Sequence, residues 1–416
     1  MEQKLHTPEG VRDIYSRECE TKLALQKKLS TVLHLYGYRD IQTPTFEYYD
    51  VFREEIGSTS TQELYRFFDR EGNILSLRPD ITPSIARAAA TLFDGEDFPV
   101  RLCYAGNTFI NHSSYQGRLK ENTQLGAELI GLDSVEADAE MIAMVVDGLK
   151  RVGLREFQVS IGHVDFITSL MEAAGLGEEE SREIRTLIAN RNYFGVDELM
   201  DGKNVEARIR EAFHILPELV GGEEVLEQAS RYSPDAKARL AVARLSHICR
   251  LLKLYGAQDH VSFDLSMSGT YGYYTGIIFR AYTYGTGDAV VRGGRYDHLL
   301  EKFGKNTPSI GFAVILDELM NALSRQKIRT ETVHRNLLVY TEATGEQAVS
   351  MACAFRKKGR NIELLKRDPE EGRAGYEAYA QRAGASVLLF FRDDGKIEMK
   401  NLLTGEERLA DMGNQG

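Results

Sequence analysis

The sequence predicts an α+β protein of two domains: a sheet-centred core over residues 1–325, interrupted by a helical insertion at about 165–257, and a small α/β domain over residues 334–416. Three observations predict it. At 416 residues the chain exceeds one ordinary hydrophobic core. Strand-like segments stand on both sides of a polar, helix-rich stretch, and the last 80 or so residues alternate strand and helix, the pattern of a separate α/β unit.

Each element follows in order. From Glu18 to Tyr36 the apolar residues Leu25, Leu29, Val32, Leu33 and Tyr36 recur at helical spacing, with Gly37 where a C-cap belongs. "YRDIQTPTFEYYDVF" is extended, and Pro44 places it at a sheet edge or an interface. "EGNILSLRPDITPSIARAAATLF" predicts a turn at Glu71 to Asn73, a strand through Leu77 and a helix opening near Thr82 and Pro83, so Asp80 and Thr82 occupy a strand-to-helix corner. Residues 98–131 supply two strands around a polar loop. A helix with an acidic first turn, "DSVEADAEMIAMVVDGLKRVG", follows.

"EFQVSIGHVDFITSLMEAAGL" reads as strand, turn and helix, and opens the inserted lobe. Strands return in "HVSFDLSMSGTYGYYTGIIFRAYTYG" and "AVVRGGRYDHLL", and "SIGFAVILDELMNAL" closes the core. Past the charged linker "SRQKIRTETVHRN", the expected order is strand "NLLVYTE", helix "GEQAVSMACAFRKKG", strand "NIELLK", helix "EEGRAGYEAYAQRAG", and strands "SVLLFFR" and "KIEMKNL".

Composition narrows the function. A hydrophobic fraction of 43% with 27% charged residues is that of a globular chain. The net charge of -11 repels phosphate backbones, which argues for small-molecule or protein partners. Four cysteines scattered singly, and no apolar run of the ~20 residues a membrane helix needs, predict a cytoplasmic protein with buried thiols. No phosphate loop, zinc helix or nucleophile elbow occurs, the nine histidines form no ligand-spaced pair, and no cofactor or metal is expected.

Six segments in order carry a resemblance: "TPEGVRDIY", "YGYRDIQTPTFE", "LRPDITPSIARA", "QGRLKENTQLGAELIG", "YYTGIIF" and "GGRYDHLLEKFGKNTPSIGFAVILDEL". Together they resemble the histidyl-tRNA synthetase lineage of class II aminoacyl-tRNA synthetases over essentially the whole chain. The resemblance implies an antiparallel sheet flanked by helices, a homodimer whose interface includes the Pro44 segment, and a C-terminal domain like an anticodon-binding module. It also lets departures be read as chemistry. The family's second motif puts an ATP-gripping arginine directly after a phenylalanine, where this chain has Ile110 after Phe109. The third motif's "GLER" arginine is replaced by Glu318, and the arginine of "RGLDYY" by Gly269. Only Arg118, a candidate anion contact, and Lys120 keep cationic character along that path.

Each charge-assisted hydrogen bond to phosphate is worth roughly 1.5 to 3 kcal/mol, so three losses should abolish adenylation. The amino-acid side matches better. Asp80, Ile81 and Thr82 match the family's "EGT" corner, with Asp shorter than the usual Glu, while Gln124, Glu128, Tyr273 and Tyr274 match polar groups of its histidine pocket. An imidazole needs a donor and an acceptor at fixed positions, which a carboxylate with tyrosine supplies.

A synthetase fold that keeps a histidine pocket and loses its ATP chemistry resembles the regulatory subunits of ATP phosphoribosyltransferase. That resemblance implies a non-catalytic chain that partners a short-form catalytic subunit, is needed for its activity and transmits feedback inhibition by L-histidine; little specific tRNA binding is expected. Two alternatives stand beside it: a divergent histidyl-tRNA synthetase drawing cations from Arg118 and Lys120, and a synthetase-like scaffold for RNA or protein that does not sense histidine.

Overall fold

The computed structural model describes residues 5–53, 59–93, 95–112, 118–201, 203, 205–267, 273–330 and 334–410. They divide into two compact units, Met1–Arg12 with Leu25–Arg329, and Asp13–Ala24 with Thr330–Gly416.

The first unit follows from its local signals. Helix α1 (Ser16–Leu35) stops where Gly37 takes φ +83°, a left-handed conformation that glycine adopts without a steric penalty. Strands β1 (Arg39–Asp40), β2 (Phe46–Tyr48), β3 (Arg66–Phe68) and β4 (Ile74–Leu77) precede α2 (Thr82–Leu92), which has Pro83 in its first turn. The long hairpin β5 (Val100–Phe109) and β6 (Glu121–Ile130) leads to α3 (Val135–Val152), capped by the Ser134 hydroxyl at the Ala137 N–H. After β7 (Phe157–His163) comes the insertion: α4 (Val164–Ala173), α5 (Glu178–Ala189), α6 (Tyr193–Asp201), α7 (Ala207–Ile215), β8 (Val220–Gly221), α8 (Glu224–Tyr232) and α9 (Ala236–Leu254). The chain returns through β9 (Val261–Asp264), β10 (Ile277–Thr283), β11 (Val291–Arg295), β12 (Ser309–Ile315) and α10 (Leu316–Arg325).

Among the described residues, nine strands form one sheet in the order β1-β5-β6-β12-β11-β10-β7-β9-β8. Its centre is antiparallel as expected, but β1 pairs parallel with β5 and β7 parallel with β9. Both exceptions join strands separated by long excursions, the connection that a parallel pair requires. One face carries the main core, where Leu125, Ala127, Leu129, Ile161 and Phe279 pack with α3 and the C-terminal part of α1. Among the described residues the insertion has no separate interior: Phe166, Phe213, Leu245 and Leu252 belong to that same core. The opposite face packs Leu102, Tyr104 and Tyr296 against Ile81 and Ile85 at the start of α2.

A smaller sheet, β2-β4-β3, carries the Pro44 segment at its margin. Arg78 holds that segment, its Nε donating to the Asn107 carbonyl at 2.8 Å and its Nη1 to the Thr43 carbonyl at 3.0 Å. Phe46, Tyr48, Phe68 and Ile74 are exposed on this sheet.

The second unit contains β13 (Arg335–Tyr340), α11 (Gly345–Lys357), β14 (Glu363–Lys366), α12 (Arg373–Arg382), β15 (Ala385–Phe391), β16 (Ile397–Asn401) and β17 (Glu407–Ala410). Its sheet order is β14-β13-β15-β16-β17, with β13 parallel to both neighbours. The final strand was not among the expected elements. "EERLA" is charged because β17 is an edge strand, so it lacks the apolar run that marked the others.

Candidate functional site

The site is built on the face of the large sheet that α2 covers. Period-two alternation sends Leu102 and Tyr104 of β5, and Gln124 and Glu128 of β6, toward α2. Gln124 and Glu128 are four residues apart, so about 13 Å separates them along the strand. Beside them runs a cavity of about 480 Å³, which reaches from Asp80, Tyr273 and Tyr274 to Ile110, Arg118 and Glu318.

At the inner end, Asp80 is nearly buried, and its Oδ1 accepts from the Ile81 N–H at 2.7 Å. The Tyr273 hydroxyl donates to its other oxygen at 3.2 Å. Thr82 donates to Glu128 Oε1 at 2.7 Å, and the Tyr296 hydroxyl donates to Glu128 Oε2. Burial pushes the Glu128 carboxyl up to about 8; the hydrogen bonds from Tyr296 and Thr82 oppose this and the nearby Asp80 adds to it. Burial likewise pushes the Tyr104 hydroxyl well above its ordinary value. That hydroxyl lies close to Thr82 and Glu128 without a well-formed bond to either.

Two glycines make room for this arrangement. A Cβ on Gly311, the β12 residue paired with Glu128, would stand 1.5 Å from Glu128 Oε2. One on Gly126 would stand 2.5 Å from the Tyr104 hydroxyl and 2.2 Å from the Phe312 carbonyl.

The expected site residues fall in different places. Asp80, Thr82, Gln124, Tyr273 and Tyr274 line the cavity. Glu128 lies behind that wall, wholly buried. The Ile81 side chain points into the core with Ile85, and only its N–H takes part, by orienting Asp80. Ile110, Arg118 and Glu318 all line the far end. Gly269 lies outside the described residues.

One expectation needs correction. Lys120 is not on the cavity wall; its side chain packs against Gly10. A cation that motif reading passed over, Arg292, is on the wall, where it pairs with Asp288. The lining therefore sets the carboxyls of Asp80, Asp288 and Glu318 against the guanidiniums of Arg118 and Arg292. Tyr104, Tyr296 and Gly311 were also missed. Tyr296 was in view within "GGRYD", but assigning it needs the pairing register that brings it to Glu128.

Behind the inner end, a buried ion-pair network through Asp138 of α3 links the residue before Tyr296 to Arg244 of the insertion. Arg295 is buried, and its Nη2 donates to Asp138 Oδ1 of α3 at 2.6 Å and its Nη1 to Asp297 at 3.1 Å. Arg244 of α9 donates to Asp138 Oδ2 at 2.6 Å and to Asp133 at 2.7 Å. Burial pushes the Asp138 carboxyl up, and the two guanidiniums pull it back.

Comparison with known proteins shows the family and the fold. The sequence model of the histidyl-tRNA synthetase family matches residues 10–319. An ATP phosphoribosyltransferase regulatory subunit from Acetivibrio thermocellus is 39% identical over 97% of both chains. The chain belongs to this regulatory-subunit family. Another member, from Caldanaerobacter subterraneus, is 36% identical over 86% of this chain and 94% of its own length. A crystal structure described as an ATP phosphoribosyltransferase regulatory subunit/histidyl-tRNA synthetase from Bacillus halodurans superposes with a TM-score of 0.81 at 31% identity, over 90% of this chain and 96% of that one. A Nostoc histidyl-tRNA synthetase has the same fold, with a TM-score of 0.81 at 19% identity over 97% and 96% of the two chains. The family name designates a regulatory rather than a catalytic subunit. Among the described residues of this subunit, no helix is long and apolar enough to cross a membrane.

Proposed function

We propose that this regulatory subunit binds L-histidine in the inner end of the cavity and transmits feedback inhibition to a short-form ATP phosphoribosyltransferase catalytic subunit, whose activity depends on it. The observation that carries the reading is Gln124 Oε1, a buried acceptor with no hydrogen-bond partner among the described residues, on the same wall as the Asp80 carboxyl. A buried acceptor left unmet costs about 1 to 3 kcal/mol, which a ligand N–H restores. Histidine offers an ammonium group for Asp80 and an imidazole N–H for Gln124, with the Tyr273 and Tyr274 hydroxyls near the same wall. At the other end Ile110 offers no charge, and Glu318 repels a polyphosphate at short range. Arg118 remains as an anion contact for a carboxylate or a single phosphate.

The assembly acts in the cytoplasm. Its core is a homodimer, supported by the exposed Phe46, Tyr48, Phe68 and Ile74 beside the Pro44 segment, an apolar face that a second copy would cover. Histidine acts by favouring one conformation of the assembly, for which a coupling of about 1 to 3 kcal/mol suffices.

Thermal unfolding tests the binding step. Histidine is expected to raise the melting temperature of the subunit, since a ligand that prefers the native state must do so. Gln124→Leu is expected to weaken histidine binding by roughly 5- to 150-fold, the worth of one buried hydrogen bond. Equal shifts with histidine and alanine, or an unchanged affinity in Gln124→Leu, would contradict the proposed pocket.

A further inference from the structure

On the other face of the sheet, the fold collects a group that no sequence spacing announced. The left-handed turn at Gly37 folds β1 back under the end of α1, bringing His34 to Asp40, with Nε2 to Oδ2 at 3.1 Å. The parallel pairing of β1 with β5 places Asp40 beside Cys103, whose Sγ is 3.4 Å from Asp40 Oδ1. The three ligand atoms all lie within 4.8 Å of one another. Leu102, the neighbour of Cys103, pairs with Glu128, so alternation turns Cys103 away from the cavity and into the opposite core.

We propose that His34, Asp40 and Cys103 form a zinc-type divalent metal site, completed by water in a fourth position. The geometry fits. A tetrahedral zinc with its usual bond lengths sets nitrogen and oxygen ligands about 3.4 Å apart and sulfur and oxygen ligands about 3.6 Å apart. His34 Nε2 lies 3.1 Å from Asp40 Oδ2 and Cys103 Sγ lies 3.4 Å from Asp40 Oδ1, so the one exposed carboxylate already lies against both other donors. Thiolate, carboxylate and neutral imidazole also balance the charge of a divalent ion and suit a borderline-soft metal better than magnesium or calcium. His34 and Asp40 are 46% and 70% exposed, which leaves their side chains room to close on an ion and leaves one side open to water. Binding forms the metal–sulfur bond as the Cys103 proton leaves to solvent, so charge and atoms balance.

Cobalt(II) is the probe, added to the full-length reduced chain. A thiolate-to-cobalt charge-transfer band reports metal on sulfur, because the thiolate is the form that ligates. The expected result is a stoichiometric band, with the visible spectrum of a four-coordinate site, displaced by zinc. Cys103→Ser should abolish the band, and Cys353→Ser, which alters an exposed thiol elsewhere, should leave it unchanged. His34→Ala removes only a surface side chain and should weaken binding by more than the roughly 10- to 100-fold that loss of an outer-shell partner costs. Absence of the band in the wild-type chain, its survival in Cys103→Ser, or an unchanged affinity in His34→Ala would overturn the site.

Discussion

Replacing Arg295 with alanine is expected to lower the unfolding free energy of the first unit by about 3 kcal/mol, the low end for breaking a buried ion pair, because its buried partner keeps one of two guanidiniums. The partner here is Asp138, itself wholly buried. Without Arg295 it retains only Arg244, while Asp297 and the Leu132 carbonyl lose a donor. Arg244→Ala should cost less, since that guanidinium is 24% exposed and water can take its place. Urea unfolding of the full chain separates this effect from a general loss of structure. The transition of the first unit should move to lower denaturant, and that of the C-terminal unit should stay. An Arg295→Ala chain as stable as the wild type would show that this network does not hold the insertion to the sheet.

The second large effect is on pH. Folded Glu128 titrates at about 8, against an ordinary value of 4.5. Between those values the folded chain keeps a proton that the unfolded chain releases, so this group makes stability fall as pH rises, with no further loss above about 8. Glu128→Gln cannot ionise, and its amide can still accept from Thr82 and donate to the Tyr296 oxygen. The variant is therefore expected to gain on the wild type from about pH 5 to about pH 8, by up to about 5 kcal/mol. His163, which burial lowers from 6.5 to about 4, contributes the opposite slope at lower pH and is common to both proteins. The difference between their stability curves therefore isolates Glu128. Parallel curves would mean that Glu128 is ionised in the folded chain across this range.

Much of the fold was legible because its signals are local. The α1 stop at Gly37, the corner at Asp80 and Thr82, and the alternation past residue 334 depend on residues close in sequence. The parallel edges of the large sheet were not legible, since they depend on where long excursions return. Within the site, the motif residues Asp80, Thr82, Gln124, Tyr273 and Tyr274 do line one cavity. Glu128 was read as part of its wall, but register places it behind Gly311, a glycine whose role appears only when β12 is laid against β6. Arg292 was passed over for a related reason: a charge in a glycine-rich strand shows its direction only once its neighbours on β10 and β12 are known. Cys103 looked like a solitary thiol because its neighbours Asp40 and His34 stand more than sixty residues away.

In the function proposed for it, this fold keeps recognition of an amino acid while its phosphate end no longer handles ATP. The most direct test mixes the subunit with a short-form catalytic subunit from the same source. Phosphoribosyl transfer is measured with and without histidine, and histidine-dependent exchange of pyrophosphate into ATP is measured on the subunit alone. Transfer is expected to require the subunit, histidine to inhibit it, Gln124→Leu to weaken that inhibition, and the subunit alone to give no exchange. Exchange by the subunit alone, or transfer indifferent to both the subunit and histidine, would contradict that function.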